Sequence, residues 1–188
     1  MSTTAVNRGK TYDLVYIGMF AVIIAICSWI SIPTAVPFTL QTFAVFLAVG
    51  VLGGKRGTLA VLVYILLGAV GIPVFSGFKG GIGALTGVTG GYIVGFLASA
   101  LFLWGMEKLT GRKKNWILAL QMVAGLILCY AIGTVWFMIV YGGNSGTMGV
   151  GTVLGMCVIP FIIPDLIKIA FAVVLSKALT RVVPFQRS

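Results

Sequence analysis

The sequence predicts an all-α, polytopic membrane protein: a single integral membrane domain over residues 1–188, with six transmembrane helices and both N and C termini cytoplasmic. Three observations predict it. Hydrophobic residues make up 60% of the chain and charged residues 9%, where a soluble domain carries about a quarter. The apolar residues fall in long continuous runs, and the basic residues gather in alternate connectors. A soluble fold of this size cannot hide so much apolar surface. A bilayer solvates it and leaves only the backbone polar groups to satisfy, which helices do internally. A β-barrel would need alternation in segments of about ten residues, and these runs do not alternate.

The first run, Leu14 to Ile30, follows Arg8 and Lys10 and so has the outline of a secretory signal. It is longer than a usual signal core and further runs follow, which marks it as a retained helix. On it Gly18, Ala21 and Ala25 share a face at i, i+3, i+7. Small residues let helix backbones approach closely in lipid, so this face either packs within the chain or meets another membrane subunit. The second run, Phe38 to Leu52, opens with Gln41 and Thr42. The third, Thr58 to Gly71, covers only about 21 Å at 1.5 Å per residue. It is expected to be partly re-entrant or lengthened by the apolar loop that follows. The fourth, Thr89 to Met106, begins with Thr89 and Tyr92 close after Thr86. The polar groups of the second and fourth runs lie near the outer face, open to a ligand or to interhelical hydrogen bonds. The fifth is Trp116 to Tyr141, with Gln121 near its inner end in a structural role, and the sixth is Val153 to Leu179. No internal repeat is visible, so an inverted-repeat architecture has no support.

The connectors fix the orientation. Arg8 and Lys10, Lys55 and Arg56, Lys108 with Arg112 to Lys114, and Lys177, Arg181 and Arg187 supply eleven of the 13 basic residues. The intervening connectors, Ser31 to Pro37, Ile72 to Val88 and Gly142 to Gly151, hold only Lys79. Basic connectors stay in the cytoplasm, and an even number of spans then returns both ends to it. Tyr12, Trp29, Trp104, Trp116, Trp136 and Tyr141 near span ends fit interfacial belts.

The same distribution excludes nucleic acid as a partner, because the net charge of +10 lies between apolar runs and not on a polar face. Cys27, Cys129 and Cys157 all fall inside apolar runs, and with no histidine in the chain they read as packing residues, not metal ligands. The strongest chemical signal is Asp165 with Lys168 in P-F-I-I-P-D-L-I-K. Ionisable groups in a membrane are costly unless paired or wet, and i, i+3 spacing puts these two on one helix face. They form a structural lock or a ligand site. Pro160 and Pro164 favour the second, since each removes a backbone donor and frees a carbonyl one turn back. Glycine-rich outer loops, around Lys79 and from Gly142 to Thr147, are expected either to close over a small ligand or to serve as flexible connectors. No phosphate-cradling G-K-[ST] element is present, so any ATP hydrolysis belongs to other chains. With three acidic residues and no histidine, an intramembrane enzyme is disfavoured, and a proton-coupled secondary transporter using Asp165 is the rival reading.

The motifs P-F-T-L-Q-T (Pro37 to Thr42), G-G-K-R-G (Gly53 to Gly57), Y-I-L-L-G-A-V-G-I-P-V-F (Tyr64 to Phe75), T-G-G-Y-I-V-G-F (Thr89 to Phe96) and P-D-L-I-K (Pro164 to Lys168) run through nearly the whole chain in order. In this the sequence resembles the BioY family, the biotin-binding S components of energy-coupling factor (ECF) transporters. It departs from the family pattern at Val88, where a proline is usual, and at Pro164, where a glycine is usual. The resemblance implies a multi-pass protein of the cell membrane that captures biotin from outside. It implies delivery through a transmembrane coupling subunit and two ATPase subunits, with no cofactor. Asp165 and Lys168 would meet the ureido edge of biotin, Tyr92 its ring faces, and Asn144 and Gln41 further polar atoms. Thr86 and Gly91 would complete the substrate site, and Gly18, Ala21 and Ala25 the face toward the partner subunit.

Overall fold

The structure is a computed structural model and describes residues 3–34, 36–110, 115–145 and 149–180, with side chains over 11–34, 36–110, 115–142 and 149–180. Helix α1 (Thr3–Trp29) leads into a short antiparallel hairpin of β1 (Ser31–Ile32) and β2 (Phe38–Thr39), in which Ser31 faces Thr39 and Ile32 faces Phe38. There follow α2 (Gln41–Leu52), α3 (Gly54–Ala69), a short α4 (Ile82–Thr86), α5 (Gly90–Thr110), α6 (Asn115–Ser145), α7 (Val150–Cys157) and α8 (Ile159–Leu179). Among the described residues, four stretches are long and apolar enough to cross a membrane: Thr11–Trp29, Gly90–Thr110, Asn115–Gly142 and the α7–α8 segment Val150–Leu179. The shorter α2 and α3, of 12 and 16 residues, reach about 18 and 24 Å. Leu14 and Val15 on α1, Ile127 and Ile139 on α6, and Ile163, Phe171 and Val174 on α8 point outward. Such a belt of apolar side chains is the surface a bilayer requires.

The core is built around α2, which buries every residue except Phe43 and packs against α1, α3, α5 and α8. A helix buried on all sides carries no polar face, which explains its unbroken apolar sequence from Phe43 to Leu52. One residue, Gly53, turns α2 into α3 with φ 86° and ψ 166°, a conformation essentially reserved for glycine. The third run forms one continuous helix. Its helix starts earlier than expected, at Gly54, and ends at Ala69, where the loop folds back over it. The Gly81 amide donates to the Gly68 carbonyl at 2.7 Å, and the Phe75 ring covers Gly68 and meets Tyr64 edge-on.

Helix α1 packs on α3 and α2 through Ile17, Phe20, Ala21, Ile24, Ala25 and Ser28, a stripe repeating every three or four residues. This stripe includes two of the three residues of the expected partner face. Ala21 and Ala25 are 1% and 5% exposed, so their small side chains serve helix packing inside this chain, and of the three only Gly18 has open space around it. A second close crossing joins α5 to α6, where the Ser99 hydroxyl donates to the Gly125 carbonyl at 2.6 Å and Gly133 lies under the Tyr92 ring. Where α5 ends and α6 begins, the same hairpin is clamped by Gln121, which donates to Thr110 at 2.9 Å.

The same end of the bundle gathers charges of the connectors rich in Lys and Arg. Asp13 of α1 pairs with Arg56 of α3 at 2.9 Å, Glu107 of α5 accepts from the Gly54 amide, and Lys108 lies over the Trp104 ring. At the other end, the Trp29 indole donates to the Pro73 carbonyl at 2.9 Å and stacks on Phe78, tying α1 to the loop after α3. Helix α6 continues through Gly142 and Gly143 to Ser145, so the last outer connector is shorter than the glycines suggest. The cost of about 1 kcal/mol per helical glycine does not stop a helix of 31 residues.

Candidate functional site

The last membrane segment is broken where its sequence cannot continue a helix. The backbone leaves helical geometry at Val158 (φ −126°), and Pro160 in the first turn of α8 has no amide to return to α7. Pro164 lies inside α8 without ending it. The carbonyls of Met156 and Pro160 thus lose their usual helical donors. Beyond the break, Phe161, Asp165, Lys168, Ile169, Ala172 and Ser176 form the buried face of α8, which packs on α2 and α6.

That face delivers the ion pair to the floor of a cavity of about 510 Å³, within the range typical of small-molecule sites. Lys168 Nζ lies 2.7 Å from Asp165 Oδ1 and 2.6 Å from the Thr39 carbonyl oxygen, and 3.9 Å from the centre of the Phe38 ring. The Tyr130 hydroxyl donates to Asp165 Oδ2 at 2.6 Å. With Asp165 only 3% and Lys168 7% exposed, both charges are neutralised before any ligand arrives. Each carboxylate oxygen still has a lone pair to offer. The Thr39 hydroxyl accepts from the Gln41 amide at 3.2 Å and so fixes the start of α2. Gln41 Nε2 is buried and finds no hydrogen-bond partner among the described residues. Orphaned donors of this kind are rare in native folds, and this one lines the cavity.

Phe161 stacks on Phe38 beside the pair, and Tyr92, Ile93, Phe96 and Leu126 supply apolar wall. The Tyr92 hydroxyl is 3.3 Å from that of Thr134. Cys129 and Cys157 also face the cavity, while Val88, Lys79 and Gly83 belong to its rim. The loop after α3 thus contributes Phe75, Ser76, Lys79 and Gly80 to the cavity lining.

Of the residues singled out in sequence, Asp165, Lys168, Gln41 and Tyr92 are brought together here. Thr86 is not: it is exposed, and its hydroxyl donates back to the Ile82 carbonyl at 3.2 Å within α4. Gly91 is turned away as well, because its Cα is pressed against Trp136. Its role is to let α5 approach α6, and a side chain there would collide. Asn144 falls in the last turn of α6, and its side chain lies outside those described. Sequence reasoning missed Tyr130 and Thr39. Tyr130 is one more aromatic in an apolar run, and Thr39 contributes its backbone carbonyl, which no residue type announces.

Fold and site together define a class: a polytopic helical membrane protein enclosing a ligand-sized cavity with an apolar wall and an ionic floor. The sequence model of the BioY family matches residues 1–185. The chain is 43% identical over 170 residues to the biotin transporter BioY of Thermotoga maritima, covering 90% of this chain and 96% of that one. It is 40% identical over 171 residues to a probable biotin transporter BioY of Pyrococcus horikoshii, covering 90% and 97%. Among solved structures, the S-component for biotin from an ECF-type ABC transporter superposes with a TM-score of 0.82 at 27% identity, covering 93% of this chain and 94% of that one. The chain belongs to the BioY family.

Proposed function

We propose that this chain is the substrate-binding S component of an ECF-type transporter and that it captures biotin from outside the cell membrane. The observation that carries the reading is the floor of the cavity, where Asp165 and Lys168 lie buried and hydrogen-bonded among aromatic rings. Biotin presents a ureido edge with two N–H donors and one carbonyl. Asp165 has lone pairs left to accept the donors, and the orphaned Gln41 amide and Lys168 are placed to give hydrogen bonds to the carbonyl. Tyr92 and the apolar wall suit the ring faces. Pairing each polar atom of the ligand in a dry pocket is also how such a site rejects a solute that lacks them.

Uptake then needs other subunits, since this chain has no nucleotide-binding motif: a transmembrane coupling protein and two ATPases. The topology proposed has six crossings with both termini cytoplasmic. It is supported by Asp13, Arg56, Glu107 and Lys108 meeting at the end of the bundle opposite the cavity loops. The binding assignment is tested by titrating the detergent-purified chain with biotin, thiamin and riboflavin. Saturable binding of biotin alone is expected. Equal binding of all three, or binding of another vitamin and not biotin, refutes the assignment.

A further inference from the structure

Three elements hold the ion pair at the floor of the cavity. Helix α8 carries both charges, β2 offers the Thr39 carbonyl to Lys168, and α6 brings the Tyr130 hydroxyl to the second oxygen of Asp165. The carboxylate is thus tethered from two sides, with Lys168 Nζ 2.7 Å from Oδ1 and the Tyr130 hydroxyl 2.6 Å from Oδ2. An ammonium has three protons. Two of those on Lys168 are directed at Asp165 and the Thr39 carbonyl, which leaves one. Without the Tyr130 hydroxyl, Oδ2 would be a charged oxygen in a buried place with no donor, and such an atom is costly. The remaining Lys168 proton would satisfy it if the carboxylate turned to take both bonds from the ammonium. The pair would then be closed on itself, with no proton of Lys168 left for a ligand carbonyl.

We infer that Tyr130 is a positioning residue that holds the Asp165–Lys168 pair open. By donating to Oδ2 from the α6 side it fixes the plane of the carboxylate, so that one Lys168 proton and the free carboxylate lone pairs stay available to a head group that both donates and accepts. Tyr130 is half-buried and lines the cavity, and its own proton is already given to Asp165. Toward the cavity it can therefore only accept, as the carboxylate does, and the bond leaves no stray donor on that side of the floor to compete with the N–H groups of a cyclic urea. The inference rests on the biotin reading and deepens it.

The test removes the one oxygen with Tyr130→Phe and titrates the purified chain with biotin and with desthiobiotin, which keeps the ureido ring and lacks the sulfur. Biotin should bind about tenfold to a hundredfold more weakly than to the wild-type chain, the scale of one hydrogen bond to a charged group. Desthiobiotin should lose the same factor, because the defect lies at the head. Added to Asp165→Asn, the same substitution should cost less than about twofold, since no anionic oxygen is left to position. A hydroxyl that serves only the fold would cost the same in both backgrounds. Equal losses in the two backgrounds, unchanged biotin affinity in Tyr130→Phe, a loss confined to biotin, or a Tyr130→Phe chain whose thermal midpoint shows that it no longer folds would each overturn the role of Tyr130 while the biotin reading stands. If the folded wild-type chain binds neither compound, the biotin reading falls and this inference with it.

Discussion

At the scale of single residues, the site trades stability for recognition. A buried amide donor left without a partner costs about 1 to 3 kcal/mol, and Gln41 Nε2 has no protein partner among the described residues. Replacing it should therefore move stability and affinity in opposite directions. Gln41→Met is expected to raise the thermal midpoint of the ligand-free protein and to weaken biotin binding about fivefold to tenfold. A lower midpoint with unchanged affinity would show that Gln41 serves the fold instead. Asp165 and Lys168 were legible in the sequence because ionisable groups in an apolar run need a reason to be there. Gln41 and Tyr92 were legible as polar tips near the outer ends of their runs. Thr86 and Gly91 looked alike by position and proved different: Thr86 satisfies its own short helix, and Gly91 makes room for Trp136.

Among the elements, the apolar runs located every long helix, because hydropathy reports burial in lipid directly. Two features escaped. The β1–β2 hairpin is two residues per strand and leaves no periodicity to read, yet its Thr39 carbonyl holds Lys168. The break between α7 and α8 was announced by Pro160, but the apolar residues on both sides hid it inside one run. The Ala21 and Ala25 face illustrates the limit of small-residue patterns, which mark close approach without saying whose backbone approaches. Since both alanines are buried against α2 and α3, Ala21→Leu and Ala25→Leu should each cost about 1 to 3 kcal/mol through overpacking. Biotin binding and uptake should fall together in these variants, with a lowered thermal midpoint. Intact binding with lost uptake would restore the reading of this face as a docking surface.

For the whole molecule, the described charges of the basic connectors lie at the end away from the cavity loops, and the proposed orientation in the membrane rests on them. Cysteines introduced at Leu109 and Ile82, which are 83% and 69% exposed, should report opposite sides when scored against the unsubstituted chain. A membrane-impermeant thiol reagent added to intact cells should label Ile82→Cys and not Leu109→Cys. Labelling of both from outside would break the six-crossing topology.

The central claim is that one chain holds biotin by itself, against the Asp165–Lys168 floor, and its most direct test is a calorimetric titration of the purified chain beside two variants. Asp165→Asn keeps the shape but exchanges the anionic acceptor for an amide and strands Lys168. The predicted loss is about 2 to 4 kcal/mol, or roughly 30-fold to 1000-fold in affinity. The Asp165→Leu/Lys168→Met double variant removes both charges and should recover folding, since well-packed apolar side chains can replace a buried ion pair. It should not recover binding. A folded double variant that binds biotin with wild-type affinity would contradict the account and leave the pair as a structural lock.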